Sequence, residues 1–81
     1  EVTLTHMEFV LLRYLLINRG IALTRERLLD AVWGVDYPGD TRTVDVHMRT
    51  LRVKLGQASR CLQTVRGVGY RLEDADAEEN L

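Results

Sequence analysis

The sequence has little of what secreted and catalytic proteins usually depend on. Among 81 residues there is one cysteine, Cys61. It cannot form a disulfide within the chain, and no second cysteine could join it and the two histidines in a zinc site. There is also no Ser/His/Asp arrangement, no phosphate-binding glycine loop and no metal-ligand spacing. These absences argue against an enzyme with catalytic residues, against a metal site and against a cofactor.

Long apolar runs are missing as well. No stretch approaches the roughly 20 apolar residues that a membrane-spanning helix requires, and no secretory signal pattern is visible. We therefore expect no membrane contact, and the single cysteine makes a reducing compartment the expected location. A chain of 81 residues is expected to form one domain that buries only roughly 60% of its unfolded surface.

The charge of the chain is unevenly distributed. The net charge is −1, but residues 41–71 contain seven cationic side chains and a single acid, Asp45. Residues 73–81 contain five acids and no cation, so we expect an acidic, disordered tail after a domain of residues 1–72. A positive field confined to one part of a small domain attracts a polyanion such as DNA. A solvated charged helix is the alternative that charge alone leaves open.

Hydrophobic periodicity predicts three helices, the first over residues 6–18. It opens with a capping box, in which the side chains of Thr5 and Glu8 accept from each other's backbone N–H. Its core stripe is expected to consist of Phe9, Leu12, Leu15 and Leu16. The second helix is predicted to begin after Thr24 as N-cap and to end at Gly34.

The third predicted helix, residues 41–55, has two distinct faces. At about 100° per residue, its core stripe consists of Val44, Met48, Leu51 and Leu55. The opposite face carries Arg42, Val46, Arg49, Thr50 and Val53. The major groove of DNA offers phosphates and guanine edges to arginine, and thymine methyl groups to valine or threonine. The outer face therefore suits this groove, although single apolar residues on a surface are ordinary.

Two alternating segments, residues 62–65 and 68–72, predict a β-hairpin around Arg66 and Gly67. A hairpin beside a basic helix is a wing. An arginine at its tip is placed to enter the minor groove, where narrow A·T-rich stretches concentrate negative potential. We therefore expect an α+β, mainly helical fold, a winged helix-turn-helix with a three-helix core and a C-terminal β-hairpin wing.

These segments together resemble the DNA-binding effector domain of OmpR/PhoB-type response regulators over residues 2–72. The similarity rests on Val32-Trp33-Gly34, on Thr41-Arg42-Thr43-Val44-Asp45-Val46-His47 and on Thr64-Val65-Arg66-Gly67-Val68-Gly69-Tyr70-Arg71. It implies the carboxyl-terminal domain of a bacterial, cytoplasmic two-component regulator. Such domains begin with a small antiparallel sheet, of which residues 2–4 would be a remnant. We therefore expect that N-terminal sheet to be largely absent from this fragment.

The resemblance also implies roles for individual positions. Bases are expected to be contacted by Asp45, Val46, Thr50 and Arg66. Phosphates are expected to be contacted by Trp33, Arg42, Thr43, His47, Arg49, Arg52, Thr64 and Tyr70. A segment that contacts RNA polymerase in several relatives corresponds to Val35, Asp36, Tyr37, Pro38, Gly39 and Asp40. At the position of Thr50 several relatives have arginine; threonine can touch a thymine methyl or donate one hydrogen bond, but cannot pair bidentately with guanine.

The implied partners are double-stranded promoter DNA, bound by a homodimer on direct repeats, and RNA polymerase. A receiver domain of the same full-length chain is also implied, and a cognate histidine kinase would act through it. A winged helix that binds protein rather than DNA is the alternative function. Exposed arginines disfavour this alternative, because the cores of protein interfaces are depleted in charge.

Structural roles compete with several of these assignments. Trp33 also suits the rim of the core, His47 a structural hydrogen bond, and Arg52 an ion pair with Asp45 or Asp30. Tyr70 is expected to pack its ring in the hairpin and to direct its hydroxyl outward. Mainly solvated positions are expected for Arg13, Arg19, Arg25 and Arg27.

Overall fold

The computed structural model describes residues 2–74, which form three α-helices and a three-stranded sheet. The elements are α1 (His6–Ile17), β1 (Leu23–Thr24), α2 (Arg25–Trp33), α3 (Arg42–Leu55), a 3-10 helix (Gly56–Cys61), β2 (Leu62–Val65) and β3 (Gly69–Leu72). The predicted α+β, mainly helical architecture is confirmed. None of the helices within residues 2–74 has the length and hydropathy of a membrane-spanning segment.

The two ends of the chain agree only partly with the sequence prediction. Residues 2–5 form no strand. Most of the predicted disordered tail, residues 75–81, lies outside the described residues. Glu73 belongs to the folded part, since its backbone N–H donates to the Cys61 carbonyl at 2.9 Å. The boundary between a domain of residues 1–72 and an acidic tail stays a prediction.

Threonine side chains cap the first two helices as predicted. At α1 the Glu8 backbone N–H donates to Thr5 Oγ1 at 3.2 Å, and the Thr5 N–H donates to Glu8 Oε1 at 2.8 Å. At α2 the Thr24 hydroxyl accepts from the Arg27 N–H at 3.0 Å. A cap of this kind contributes about 1 kcal/mol. Both capping predictions are confirmed.

The third helix begins with an aspartate cap. The side chain of Thr41 makes no capping hydrogen bond, whereas Asp40 Oδ1 accepts from the Arg42 backbone N–H at 2.9 Å. The helix ends at Gly56, whose φ of 58° lies in the left-handed region that glycine adopts without steric cost.

The core collects one face of each helix and the inner side of the sheet. It consists of Leu11, Leu15, Leu23, Leu28, Val44, Met48, Leu51, Leu62, Tyr70 and Leu72. The predicted core stripe of α3 is confirmed at Val44, Met48 and Leu51, and Leu55 packs against it half-buried.

The predicted core stripe of α1 is wrong in part. Phe9 is 55% exposed and Leu16 is 50% exposed, while the buried positions are Glu8, Leu11 and Leu15. Both sides of this helix carry apolar residues, so periodicity alone cannot choose between them. The side that contains a glutamate is the buried one.

The sheet contains a strand that the sequence did not reveal. β1 pairs antiparallel with β3, which lies between β1 and β2. The pairing brings Gly69 so close to β1 that a Cβ at this position would overlap the Leu23 carbonyl group. Glycine at position 69 therefore allows the hairpin to join the segment that leads into α2.

The buried carboxylate of Glu8 connects α1 to α3. Glu8 is 3% exposed, and its Oε1 accepts from Lys54 Nζ at 2.7 Å while its Oε2 accepts from the Thr50 hydroxyl at 2.8 Å. The hydrogen bonds from Lys54, the Thr5 backbone and Thr50 lower the pKa of Glu8 to about 2, against the opposing effect of burial. The side chain is thus ionised at neutral pH.

We predict that Glu8→Gln lowers the free energy of unfolding by about 2 kcal/mol at pH 7, because hydrogen bonds to a charged group are lost. The folded-state pKa is depressed, so the contribution is complete above the ordinary value of 4.5 and is lost as the pH falls towards about 2. Urea denaturation of wild type and Glu8→Gln at several pH values measures the difference in the free energy of unfolding. Glu26→Gln, at an exposed position of α2, is the control. A difference between wild type and Glu8→Gln that does not shrink below pH 4.5 would contradict the prediction.

Candidate nucleic-acid interface

The outer face of α3 is a continuous exposed surface. Its side chains are those predicted from the sequence, Arg42, Val46, Arg49, Thr50 and Val53, and all five are exposed. Val46 is 55% exposed and Val53 is 77% exposed. Apolar and cationic groups therefore alternate on one side of a rigid helix, as periodicity predicted.

The wing presents one further arginine to solvent. Arg66 is exposed in the turn between β2 and β3. The turn is closed by a hydrogen bond from the Val68 N–H to the Val65 carbonyl at 2.9 Å, and Gly67 has a φ of 78°. This backbone conformation holds Arg66 at the tip of the hairpin.

Arg52 fastens α3 to the wing. Its Nη2 donates to the Leu62 carbonyl and to the Thr64 hydroxyl, both at 2.9 Å. Its guanidinium carbon also lies 5.6 Å from the centre of the Tyr70 ring, a cation–π contact. The alternative of an ion pair with Asp45 or Asp30 is therefore wrong, because the guanidinium turns towards β2.

Asp45 joins α3 to the start of α2 and to β3. Its Oδ1 accepts from Arg25 Nε at 2.7 Å and from the Tyr70 hydroxyl. Partial burial raises the pKa of Asp45, but the hydrogen bonds from Tyr70 and Arg25 outweigh it and hold the pKa below its ordinary value. Burial, followed by the bond to Asp45, raises the pKa of Tyr70. An ionised carboxylate thus sits beside a neutral phenol.

Two predictions are corrected by this network. The ring of Tyr70, which was predicted to pack in the hairpin, is part of the core, and its hydroxyl donates to Asp45 instead of pointing outward. Arg25 is not mainly solvated, since it pairs with Asp45 and lies 5.0 Å from the centre of the Tyr70 ring. No local pattern in the sequence could indicate either contact, because the partners come from three different elements.

A second group of contacts lies where the end of α2 meets the first half of α3, and it consists of Trp33, Tyr37, Thr43 and His47. His47 Nδ1 and the Thr43 carbonyl are 2.9 Å apart, and the Trp33 ring meets His47 edge to face at 4.9 Å. The Tyr37 hydroxyl lies 3.1 Å from Thr43 Oγ1. The structural hydrogen bond considered for His47 is therefore present. Tyr37 attaches the loop of residues 35–40 to α3.

Arg42 and Arg49, which are also predicted to contact phosphates, differ in whether they have a hydrogen-bond partner among the described residues. Arg42 Nη2 pairs with Asp40 Oδ2 at 2.8 Å, and the hydrogen bond from Arg42 lowers the pKa of Asp40. The Arg42 side chain is 85% exposed, so a phosphate can reach it. Arg49 is exposed two turns further along α3.

Within residues 2–74, no group of three His, Cys, Asp or Glu side chains could hold a metal ion.

Two residues that organise this surface were not predicted to do so. Glu8 was assigned only to a cap, and Lys54 had no assigned role, yet the pair holds α1 against α3. In the sequence, only the position of Glu8 among the apolar residues of α1 could have indicated this contact. Nothing near Lys54 points to Glu8 as its partner.

Comparison with known proteins relates the chain to the C-terminal domains of transcriptional regulatory proteins. The family model described as "Transcriptional regulatory protein, C terminal" matches residues 1–72. The sensory transduction protein RegX3 of Mycobacterium leprae is 54% identical over 76 residues, which cover 89% of this chain and 38% of that protein. The chain thus spans less than two fifths of the length of this relative.

Solved structures agree with the same relationship. The DNA-binding domain of CssR from Bacillus subtilis has a TM-score of 0.79 and 39% identity, covering 88% of this chain and 78% of that one. The DNA-binding domain of RstA from Klebsiella pneumoniae, solved in complex with the RstA box, has a TM-score of 0.76 and 36% identity, covering 89% and 74%. The winged helix-turn-helix prediction is confirmed by these similarities.

We predict that Tyr70→Phe lowers the free energy of unfolding by about 2 kcal/mol, since a hydrogen bond to an ionised group is lost. Tyr37→Phe is the matched control, because it removes a neutral hydrogen bond that contributes about 1 kcal/mol or less. Urea denaturation of both variants measures the difference. Equal losses would show that the bond between Tyr70 and Asp45 does not stabilise the fold.

Proposed function

The chain belongs to the family of C-terminal domains of transcriptional regulatory proteins, the OmpR/PhoB-type effector domains, and on this premise we propose that it binds promoter DNA sequence-specifically. The observation that carries the proposal is the exposed outer face of α3, where Arg42 and Arg49 accompany Val46 and Thr50. The solved complex of the RstA domain with the RstA box supports it.

In the proposed complex α3 lies in the major groove. An α-helix fits the width of this groove, and its base edges include both hydrogen-bonding groups and thymine methyl groups. Val46 is exposed on the outer face and is assigned to such a methyl group. Asp45 is assigned to a base through Oδ2, because Oδ1 is held by Arg25 and Tyr70.

The wing reaches the adjacent minor groove through Arg66. Its position at the hairpin tip and its exposure support this assignment. Arg52 ties β2 to α3, so the two reading elements approach DNA as one body. Narrow A·T-rich minor grooves attract arginine because their negative potential is enhanced.

Phosphates are assigned to the rim of this surface. Arg42 and Arg49 extend into solvent, and the indole N–H of Trp33 donates to no group within residues 2–74. The remaining assigned positions are held by intramolecular contacts and would bind phosphate with the groups still available. They are Thr43, His47, Arg52, Thr64 and Tyr70. Of these, Tyr70 has the weakest support, because it is buried and its hydroxyl binds Asp45.

The wider setting follows from the family. We assign to the full-length protein a receiver domain phosphorylated by a histidine kinase in the bacterial cytoplasm, which brings two copies together on direct repeats. The chain spans 38% of its relative RegX3, which leaves room for such a domain. The loop of residues 35–40 is assigned to RNA polymerase, supported by the exposure of most of its residues, Val35 and Asp36 among them.

We predict a steep dependence of DNA affinity on salt. About six phosphate contacts give a slope of about −5 in a plot of log affinity against log salt, because bound counterions are released. Arg49→Ala should make the slope shallower by about 1. Fluorescence anisotropy with a labelled duplex measures both. Arg13→Ala, an exposed arginine on α1, is the control. A slope near zero would favour a protein partner instead.

We predict that Arg66→Ala weakens binding to A·T-flanked sites by about tenfold, equivalent to about 1.4 kcal/mol. Sites with G·C flanks should lose less, because their minor groove attracts arginine less strongly. Paired duplexes that differ only in the flanks are compared by anisotropy. A uniform loss across both would contradict the role in the minor groove.

A further inference from the structure

The hydroxyl proton of Thr50 is committed to the protein itself. Thr50 Oγ1 lies 2.8 Å from Glu8 Oε2 and 3.1 Å from the His47 carbonyl oxygen. Both neighbours are acceptors, and the shorter contact is to an ionised carboxylate. The single proton of the hydroxyl therefore points into the protein whichever of the two it binds.

The carboxylate is itself held in place. Glu8 Oε1 accepts from Lys54 Nζ at 2.7 Å and from the Thr5 N–H at 2.8 Å. This leaves Oε2 directed at Thr50. Because Glu8 is buried and ionised at neutral pH, it can only accept from Thr50 and can never donate to it. Glu8 is thus a positioning residue for the hydroxyl.

What Thr50 offers to the outside follows from this constraint. The side chain is exposed on the outer face of α3. With its proton turned inward, it presents a lone pair of Oγ1 and a methyl group. It cannot donate to the N7 or O6 of guanine, and those acceptors would repel its oxygen.

We propose that Thr50 reads the major groove as a hydrogen-bond acceptor beside a methyl group, and so selects an A·T base pair and rejects guanine. An A·T pair shows the adenine N6 amino group as a donor and the thymine methyl on the same edge, whereas a G·C pair offers the cytosine N4 amino group without a methyl group and with the guanine O6 acceptor beside it. This inference rests on the proposed function. Of the two contacts that the sequence allowed for Thr50, the methyl contact is kept, and the donated hydrogen bond is replaced by an accepted one.

The base pair that faces position 50 is located first. Selection of bound duplexes from a random library is carried out with the wild type and with Thr50→Arg, since arginine pairs bidentately with guanine. The position at which Thr50→Arg acquires guanine faces residue 50. The wild type is expected to select adenine or thymine there. Selection of a G·C pair there by the wild type, with either guanine or cytosine on the strand that is read, would overturn the proposal.

The hydrogen bond itself is tested by a double-mutant cycle. The adenine at that position is replaced by purine, which lacks the N6 amino group, and Thr50 is replaced by valine, which keeps the shape and lacks the hydroxyl. Wild type is expected to lose about fivefold in affinity for the purine duplex beyond any loss shown by Thr50→Val, as befits one neutral hydrogen bond. Thr50→Ser keeps the hydroxyl and is expected to retain this coupling.

The outcomes distinguish failure of the acceptor role of Thr50 from failure of the proposed DNA binding. Equal responses of wild type and Thr50→Val to the purine duplex would overturn the acceptor role, while binding of the selected site would leave the proposed function intact. Failure of the wild type to enrich any duplex would overturn the proposed function, and this inference with it.

Discussion

The buried carboxylate of Glu8 is the constraint on which the arrangement of the helices depends. A buried charge without partners costs several kcal/mol, so α1 and α3 can pack only where Lys54 and Thr50 both reach that carboxylate. This requirement fixes the rotation of α3 about its own axis. The rotation in turn decides that Val44, Met48 and Leu51 are buried and that the cationic face is turned to solvent.

A second constraint couples the helices to the sheet. Asp45 accepts from Arg25 and Tyr70, and Arg52 donates to β2. Together these bonds join α2, α3 and the hairpin, so the outer face of α3 and the wing share one framework. The charged residues of this surface therefore have two roles. Arg25, Asp45 and Arg52 join the elements by hydrogen bonds. Arg49 and Arg66 are exposed to solvent.

The sequence predicted those features that depend on neighbouring residues. The capping box at Thr5, the two faces of α3 and the hairpin around Gly67 all follow from local spacing, and the structure contains them. Features that depend on distant partners were missed or wrong. β1 has only two residues and exists because β3 pairs with it, while the buried side of α1 is decided by Lys54. For the same reason the exposed half of the candidate site was predictable, and the inward contacts of Tyr70 and Arg25 were not.

The attachment of Arg52 has a consequence for the thermodynamics of association. A long flexible side chain that becomes ordered in an interface loses rotational freedom, at a cost of about 0.5–1.5 kcal/mol. Arg52 has already lost this freedom on folding, because Leu62, Thr64 and Tyr70 hold its guanidinium. Its positive charge therefore adds to the attraction for a polyanion without a further entropic penalty, whereas the exposed side chain of Arg66 would lose its rotational freedom in any interface that it enters.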